Sequence, residues 1–285
     1  VLVTEASLTL KNSGFLAEIR PDRFINGAYE LTIDGTPQSH VNLDDPGDVF
    51  FEYIRRIAHV IDLVADDGAP ITAVHLGGGA LTLPRYVEAT RPGSNQQVIE
   101  LEQDLIDFVR KHLPLPQRAN IRFRYGDARE RVSKLPAGLH GQVDVLVVDI
   151  FSGARTPAHV TSLEFYSLLK PLLAQNGVVV VNVADGHSLN FARAQAATLS
   201  HVFAEVSVLA EPQVLKGRRF GNLVFVAAAH DAITEWMPRL LAGGPHPAKV
   251  VTGQELTNFI AGAALVTDQN AVPSPPPAKN IFQSR

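Results

Sequence analysis

The chain has 285 residues, 46% of them apolar, with 25 basic and 29 acidic side chains and a net charge of -4. That suffices for one large domain with a small appendage, and the charge balance gives no general pull toward nucleic acid or anionic membranes. The absence of cysteine removes disulfides, thiolate metal sites and a cysteine nucleophile. No apolar run reaches the ~20 residues of a membrane-spanning helix, and Val1 to Leu10 shows no signal-peptide pattern, so a cytoplasmic location is expected.

In chain order, residues 1–47 have the alternation and turn chemistry of a small antiparallel β-module. Leu8 to Leu10 and Phe15 to Ile19 are expected to pair across Lys11 to Gly14, and Glu30 to Ile33 forms a strand ended by Asp34-Gly35. Asp48 to Val64 reads as a helix, with Phe51, Ile54, Ile57, Ala58 and Ile61 recurring at core spacing. Ile71 to Leu76 is a strand, Gly77 to Gly79 a turn, and Ala80 to Thr90 a helix with Pro84 in its first turn, where a missing N–H costs little. Gln97 to Leu101 is a strand and Asp104 to His112 a helix.

Ile121 to Tyr125 and the apolar Val143 to Val148 are further strands, the latter suited to a parallel sheet covered on both faces. Leu163 to Leu173 is a helix, Gly177 to Val183 a strand, Phe191 to Val202 a helix, and Val206 to Ala210 and Leu223 to Ala228 are late strands. This alternation over residues 48–265 predicts an α/β, doubly wound sheet. Residues 266–285 contain VPSPPPAKN and read as an extended or mobile tail. Trp236 and Met237 are read as packing residues, and no internal repeat is present.

The stretch ITAVHLGGGALTLPRYVEATRPGSNQQVIELE has the layout of a nucleotide-binding βαβ unit. The glycines Gly77, Gly78 and Gly79 let the backbone approach a ligand. Glu100, about 20 residues on, is placed to accept hydrogen bonds from ribose hydroxyls. Three more acids follow strands: Asp127, suited to an exocyclic amine such as adenine N6; Asp149, facing the reacting group; and Asp185. A single acid in that position is usually a turn former or helix cap. GGGALT lacks the Gly-Lys-Ser/Thr of a P-loop, so a nucleoside is favoured over a triphosphate. His59, His75 and His159 show no metal-binding spacing, and no metal site is expected. His75 reads as a satisfied semi-buried side chain, and His159 as a loop or pocket-lining residue.

With those residues in view, the chain resembles the spermidine synthase family, aminopropyltransferases with the class I methyltransferase fold, over roughly Leu31 to Ala228. LTIDGTPQS resembles a family segment and supplies Gln38. FFEYIRRIAH resembles the following helix, with Tyr53 at the family tyrosine. HLGGGALTLPR, VIELE, YGDARE (with Asp127 and Ala128) and VDVLVVDIFSG resemble the glycine, ribose, adenine and catalytic segments. The resemblance implies a Rossmann-like, mostly parallel sheet with an antiparallel last strand, and a dimer or tetramer, of which a homodimer is expected here. It also implies decarboxylated S-adenosylmethionine as a co-substrate rather than a tightly bound cofactor. An amine is then the acceptor, with Asp149 as base.

Several positions depart from the family pattern. Ala80 and Ser152 stand where the family has acids, and Ile54 and Arg55 follow Tyr53 where it has a polar residue and Glu. EPQVLKGRRFGN, with Lys216, Arg218 and Arg219, replaces a polyamine-contacting loop. Tyr53, Arg55, Ala80, Ser152 and Asp185 are therefore the expected acceptor pocket, with Asp185 or Glu164 as replacement acids. Arg55 with the late-loop cations would favour a carboxylate or phosphate acceptor. Two rivals stay open: a methyltransferase using intact S-adenosylmethionine, and a non-catalytic nucleoside-binding homologue.

Overall fold

A computed structural model describes residues 5–229 and 232–277. The N-terminal strands β1 (Ala6–Thr9), β2 (Leu16–Pro21), β3 (Ala28–Ile33) and β4 (Thr36–Asn42) form an antiparallel meander. The expected hairpin is present: Leu8 pairs with Ala17 and Thr9 with Leu16. Asp34, at φ 47°, and Gly35 turn the chain between β3 and β4.

Next come α1 (Glu52–Leu63), β5 (Thr72–Leu76), α2 (Thr82–Thr90), β6 (Asn95–Glu100), α3 (Gln103–His112), β7 (Ile121–Tyr125), α4 (Ala128–Val132), β8 (Val143–Val148), α5 (Leu163–Leu169), β9 (Leu173–Asp185), α6 (Asn190–Val202), β10 (Glu205–Ala210), α7 (Pro212–Leu215), β11 (Gly221–Ala228), α8 (Ala232–Gly243), β12 (Lys249–Val251) and α9 (Gly253–Ile260). Among the described residues the large sheet has the order β12-β10-β11-β9-β8-β5-β6-β7. β5 through β9 are parallel neighbours, and β11 runs antiparallel between β9 and β10. The expected doubly wound sheet is therefore correct, with one addition: β12 extends the edge antiparallel to β10. The helix expected from Asp48 starts four residues later, because Phe51 caps it in extended backbone.

Side-chain alternation divides the sheet between two apolar layers. Ala73, Val145, Val147, Val178 and Val180 face α1, α2 and α8, where Trp236 and Met237 pack as expected. Leu76, Leu146, Val148, Val179 and Val181 face α5, α6 and α9. A third apolar cluster joins Leu31, Ile33 and Val41 of the meander to Ile106, Phe108 and Val109 of α3. Two arginines act as internal rivets. Arg91 donates to the carbonyls of Asp62, Ala65, Asp66 and Ala69 at the end of α1, and Arg85 to those of Ala80, Leu113 and Pro114.

The proline-rich segment is extended but pinned as far as Ser274, and residues 278–285 lie outside the described residues. Asp268 takes both guanidinium nitrogens of Arg129 at 2.6 Å. Ser274 is fully buried, and its backbone and hydroxyl pair with Thr156 at 3.0 and 2.9 Å. No helix among the described residues is long and apolar enough to cross a membrane.

Candidate active site

The parallel register brings the strand ends together. Leu76 lies opposite both Ile99 and Val148, so Gly77, Glu100 and Asp149 emerge side by side. β6 and β7 continue to one side of β5, and β8 and β9 to the other. This is the switch point at which open α/β sheets bind ligands beyond their carboxyl ends. A cavity of about 180 Å³ opens there, lined by Gln38, Tyr53, Gly77, Gly78, Gly79, Glu100, Asp127, Ala128, Asp149 and Ser152 among others. The structure thus gathers most of the residues singled out in the sequence.

The glycine turn has specific steric causes. Gly77 sits at φ 97°, and a Cβ there would lie 2.2 Å from the Asp149 carbonyl oxygen. A Cβ on Gly78 would lie 2.8 Å from Ile106 Cδ1. Backbone can approach the neighbouring strands, or a ligand, only without side chains here. The Gly78 N–H donates to Glu100 Oε2 at 2.7 Å, and Glu100 Oε1 accepts from the Glu102 N–H at 3.0 Å. Burial raises the Glu100 pKa while these backbone donors oppose the rise. With the Leu101 N–H also bonded to it, the carboxylate still keeps lone-pair capacity for a ribose hydroxyl.

Glu102 was not singled out in the sequence. Buried beside Glu100, it accepts the backbone N–H groups of Asn12 and Ser13 at 3.2 and 2.8 Å. It thereby clamps the tip of the first hairpin over the cavity. Asp127 caps α4 through Glu130 N–H at 3.1 Å, and its other oxygen lies 2.6 Å from His159 Nε2. His159 lines the cavity. Gln38 reaches from β4 to the Gly153 carbonyl at 3.1 Å and fixes the loop that follows Asp149. His75 bonds Gln96 at 3.0 Å, and burial lowers its pKa to about 4, so it is neutral; its Nδ1 has no partner among the described residues.

Asp149 stands at the inner end. Asn182 Nδ2 donates to its Oδ1 at 2.8 Å and the Tyr53 hydroxyl also hydrogen-bonds it. Burial raises its pKa from 3.8 to about 6, against the lowering effect of both donors. Burial and the adjacent carboxylate push the Tyr53 hydroxyl upward.

A second cavity, of about 380 Å³, shares Gln38, Tyr53, Phe151 and Gly153 with the first. Its charged residues are Glu52, Arg56, Glu211 and Arg219, and Asn182 is in its wall. This corrects the expected acceptor set. Arg55 turns back to the Val49 carbonyl at 2.6 Å and lines neither cavity; the next residue on the helix, Arg56, does. Ala80 is buried with its N–H on Ser39 Oγ and lines neither cavity. The Asp185 carboxylate accepts from Gly186 and Ala192 N–H groups at the start of α6 and faces a different cavity. It is a helix cap. Glu164 accepts from the Asp268 N–H instead of facing the site. Ser152 lines the first cavity, and Arg218 the third.

No family model matches the chain. The polyamine aminopropyltransferase of Vibrio vulnificus (strain CMCP6) is 29% identical over 172 residues, which cover 59% of this chain and 55% of that protein. The chain thus spans about half the length of the curated relatives it matches. The crystal structure of a probable spermidine synthase from Corynebacterium glutamicum ATCC 13032 is 30% identical, with a TM-score of 0.82 over 92% of this chain and 96% of that one. The chain belongs to the spermidine synthase family. Human methyltransferase-like protein 13, solved in complex with SAH, is 18% identical with a TM-score of 0.54 over 77% of this chain and 96% of that one. That likeness shows the class I methyltransferase fold, which this spermidine synthase family member shares.

Proposed function

We propose that this protein is an aminopropyltransferase. In this reading the first cavity holds decarboxylated S-adenosylmethionine: Glu100 takes the ribose hydroxyls, Asp127 the adenine amine, and the glycine turn lies against the nucleoside. The second cavity presents an amine to the carbon beside the sulfonium. The observation that carries the reading is Asp149, which lines the first cavity with a pKa near 6 and is hydrogen-bonded to Asn182 and Tyr53, both in the wall of the second. A carboxylate with that pKa is ionised at neutral pH and still accepts a proton well.

The amine nitrogen forms a bond to the methylene carbon and the C–S bond breaks. Its electron pair converts the sulfonium to the thioether of methylthioadenosine. The proton released from the amine passes to Asp149. The donor carries the reactivity, so the protein supplies orientation and a base. The first cavity has no Lys or Arg among its described lining residues, which suits a donor without an α-carboxylate. A dimer of this chain in the cytoplasm is the matching expectation for assembly and location. The test is methylthioadenosine release from decarboxylated S-adenosylmethionine with a panel of amines. Release that needs both donor and amine, and disappears in Asp149→Asn, is expected. Binding of methylthioadenosine with no release from any pair would instead leave a nucleoside-binding homologue.

A further inference from the structure

Two residues in the wall of the second cavity, Asn182 and Arg56, each hold a buried polar atom, of opposite kind, with no partner among the described residues. Asn182 spends its amide on Asp149, which leaves its Oδ1 an acceptor without a donor. Arg56 has its Nε–H without an acceptor. Both residues are almost completely buried, at 2% and 4% exposure. Buried polar groups are nearly always paired, and each unpaired one carries a desolvation cost that a suitable ligand removes. The acceptor beside Asp149 calls for an N–H. The guanidinium donor calls for an anionic oxygen.

The charges agree. Glu52 lies 3.6 Å from Arg56, and Glu211 lies 3.0 Å from Arg219, so both acids are already matched by cations. Burial lowers the Arg56 pKa, while Glu52 and Glu211 oppose that effect. Among the described residues, a diamine dication entering here would meet two guanidiniums and two acids already paired with them, with Asp149 reached only past Asn182 and Tyr53. A zwitterion brings one charge of each sign to a cavity that holds both. Tyr53, bonded to Asp149, and Arg56 are three residues apart on α1, a rise of ~4.5 Å, so amine and anion sites are separated by a short spacer. Phe51, Phe151, Phe220 and Val214 give that spacer an apolar wall.

We infer that the acceptor is an amine that also carries a carboxylate, an ω-amino acid rather than a diamine, with its nitrogen on Asn182 Oδ1 and Asp149 and its carboxylate on Arg56 and Arg219. The fate of the amine rests on the aminopropyl-transfer reading above; the binding specificity does not. Transfer then converts the primary amine to a secondary amine and leaves the carboxylate unchanged, with methylthioadenosine as the other product.

The test is calorimetric titration of the protein, saturated with methylthioadenosine, with β-alanine, γ-aminobutyrate, ε-aminocaproate and putrescine. At least one ω-amino acid is expected to bind tenfold or more tighter than putrescine. Arg219→Gln, at a side chain 57% exposed, is expected to lose most of that preference without loss of folding. Arg56→Met is expected to abolish it, with Arg219→Gln as the safeguard because Arg56 also donates to the Pro245 carbonyl. Putrescine binding as tightly as every amino acid, or no amino acid binding at all, overturns the inference. So does tighter binding of intact than of decarboxylated S-adenosylmethionine with that advantage lost in Arg219→Gln, which would assign the carboxylate to the donor. Failure of methylthioadenosine to bind refutes the nucleoside reading alone; the amino acid and diamine titrations of the free protein then still decide this inference.

Discussion

Asn182 reaches from near the carboxyl end of β9 to place its amide 2.8 Å from Asp149 Oδ1, and it is the hydrogen bond that most offsets the effect of burial on that carboxylate. Replacing it by Ala removes a charge-assisted bond, typically ~1.5–3 kcal/mol, or about one to two pH decades. The Asp149 pKa is expected to rise further above 6. The acidic limb of the pH–rate profile moves upward accordingly, and turnover at pH 7 falls by roughly two- to tenfold. A profile of methylthioadenosine release that keeps its limb in place would separate Asn182 from the base.

Asp149→Asn should trade activity for stability. Turnover is expected to fall by roughly 10²–10⁴-fold, the usual contribution of a general base. The folded-state pKa lies above the ordinary value, so the ionised carboxylate destabilises the fold above pH 6. That cost disappears as pH falls through 6 toward 3.8. A rise from 3.8 to about 6 corresponds to about 3 kcal/mol as an upper figure. Urea unfolding is therefore expected to show the variant more stable than the parent at pH 8, with the difference vanishing near pH 4. Equal stability at both pH values would contradict the assigned burial cost.

Much of this site was legible in the sequence, because its parts are local. The glycine turn, Glu100, Asp127 and Asp149 each follow a strand whose apolar run marks its own end. What sequence left open depends on packing. Which of Arg55 and Arg56 enters the cavity is a matter of helix phase, one residue or 100° apart, and α1 settles it by burying Ile54, Ile57 and Ile61. Glu52 and Glu211 belong to elements distant in sequence. Asn182 did leave a signal: a lone amide in VVVVNV, where burial is costly unless paired. α8, β12 and α9 were missed: Pro238 interrupts the helical signal of α8, and three- and eight-residue elements give little periodicity. The tail was read as extended or mobile, yet Arg129, Ser162 and Thr156 pin its first part.

Gly77→Ala places a Cβ against the Asp149 carbonyl at 2.2 Å and forces an L side chain to φ 97°. Strain of ~1–3 kcal/mol or more is expected. It should appear as a lower urea midpoint together with weakened methylthioadenosine binding, since the turn and the Asp149 backbone move together. A variant with unchanged midpoint would show that the turn is free to shift.

Glu102→Gln leaves one of the Asn12 and Ser13 backbone donors without an acceptor and removes the charge from both bonds. The first hairpin is expected to lose its seat over the cavity. Limited proteolysis should cut faster near Lys11 to Gly14, and methylthioadenosine affinity should fall severalfold. Protection of that tip by saturating methylthioadenosine in the parent, but not in the variant, is the accompanying expectation. Unaltered cleavage would mean that Asn12 Nδ2 on the Leu101 carbonyl and the Lys11 N–H on Asp104 Oδ2 hold the tip without Glu102.

The most direct measurement is calorimetric titration of the parent and of Glu100→Gln with decarboxylated S-adenosylmethionine and, separately, with intact S-adenosylmethionine. The aminopropyl-transfer account expects the decarboxylated donor to bind more tightly to the parent, and Glu100→Gln to lose at least tenfold in that affinity. Stronger binding of the intact donor would point to methyl transfer. Binding of neither, or an affinity untouched by Glu100→Gln, would contradict the nucleoside site itself.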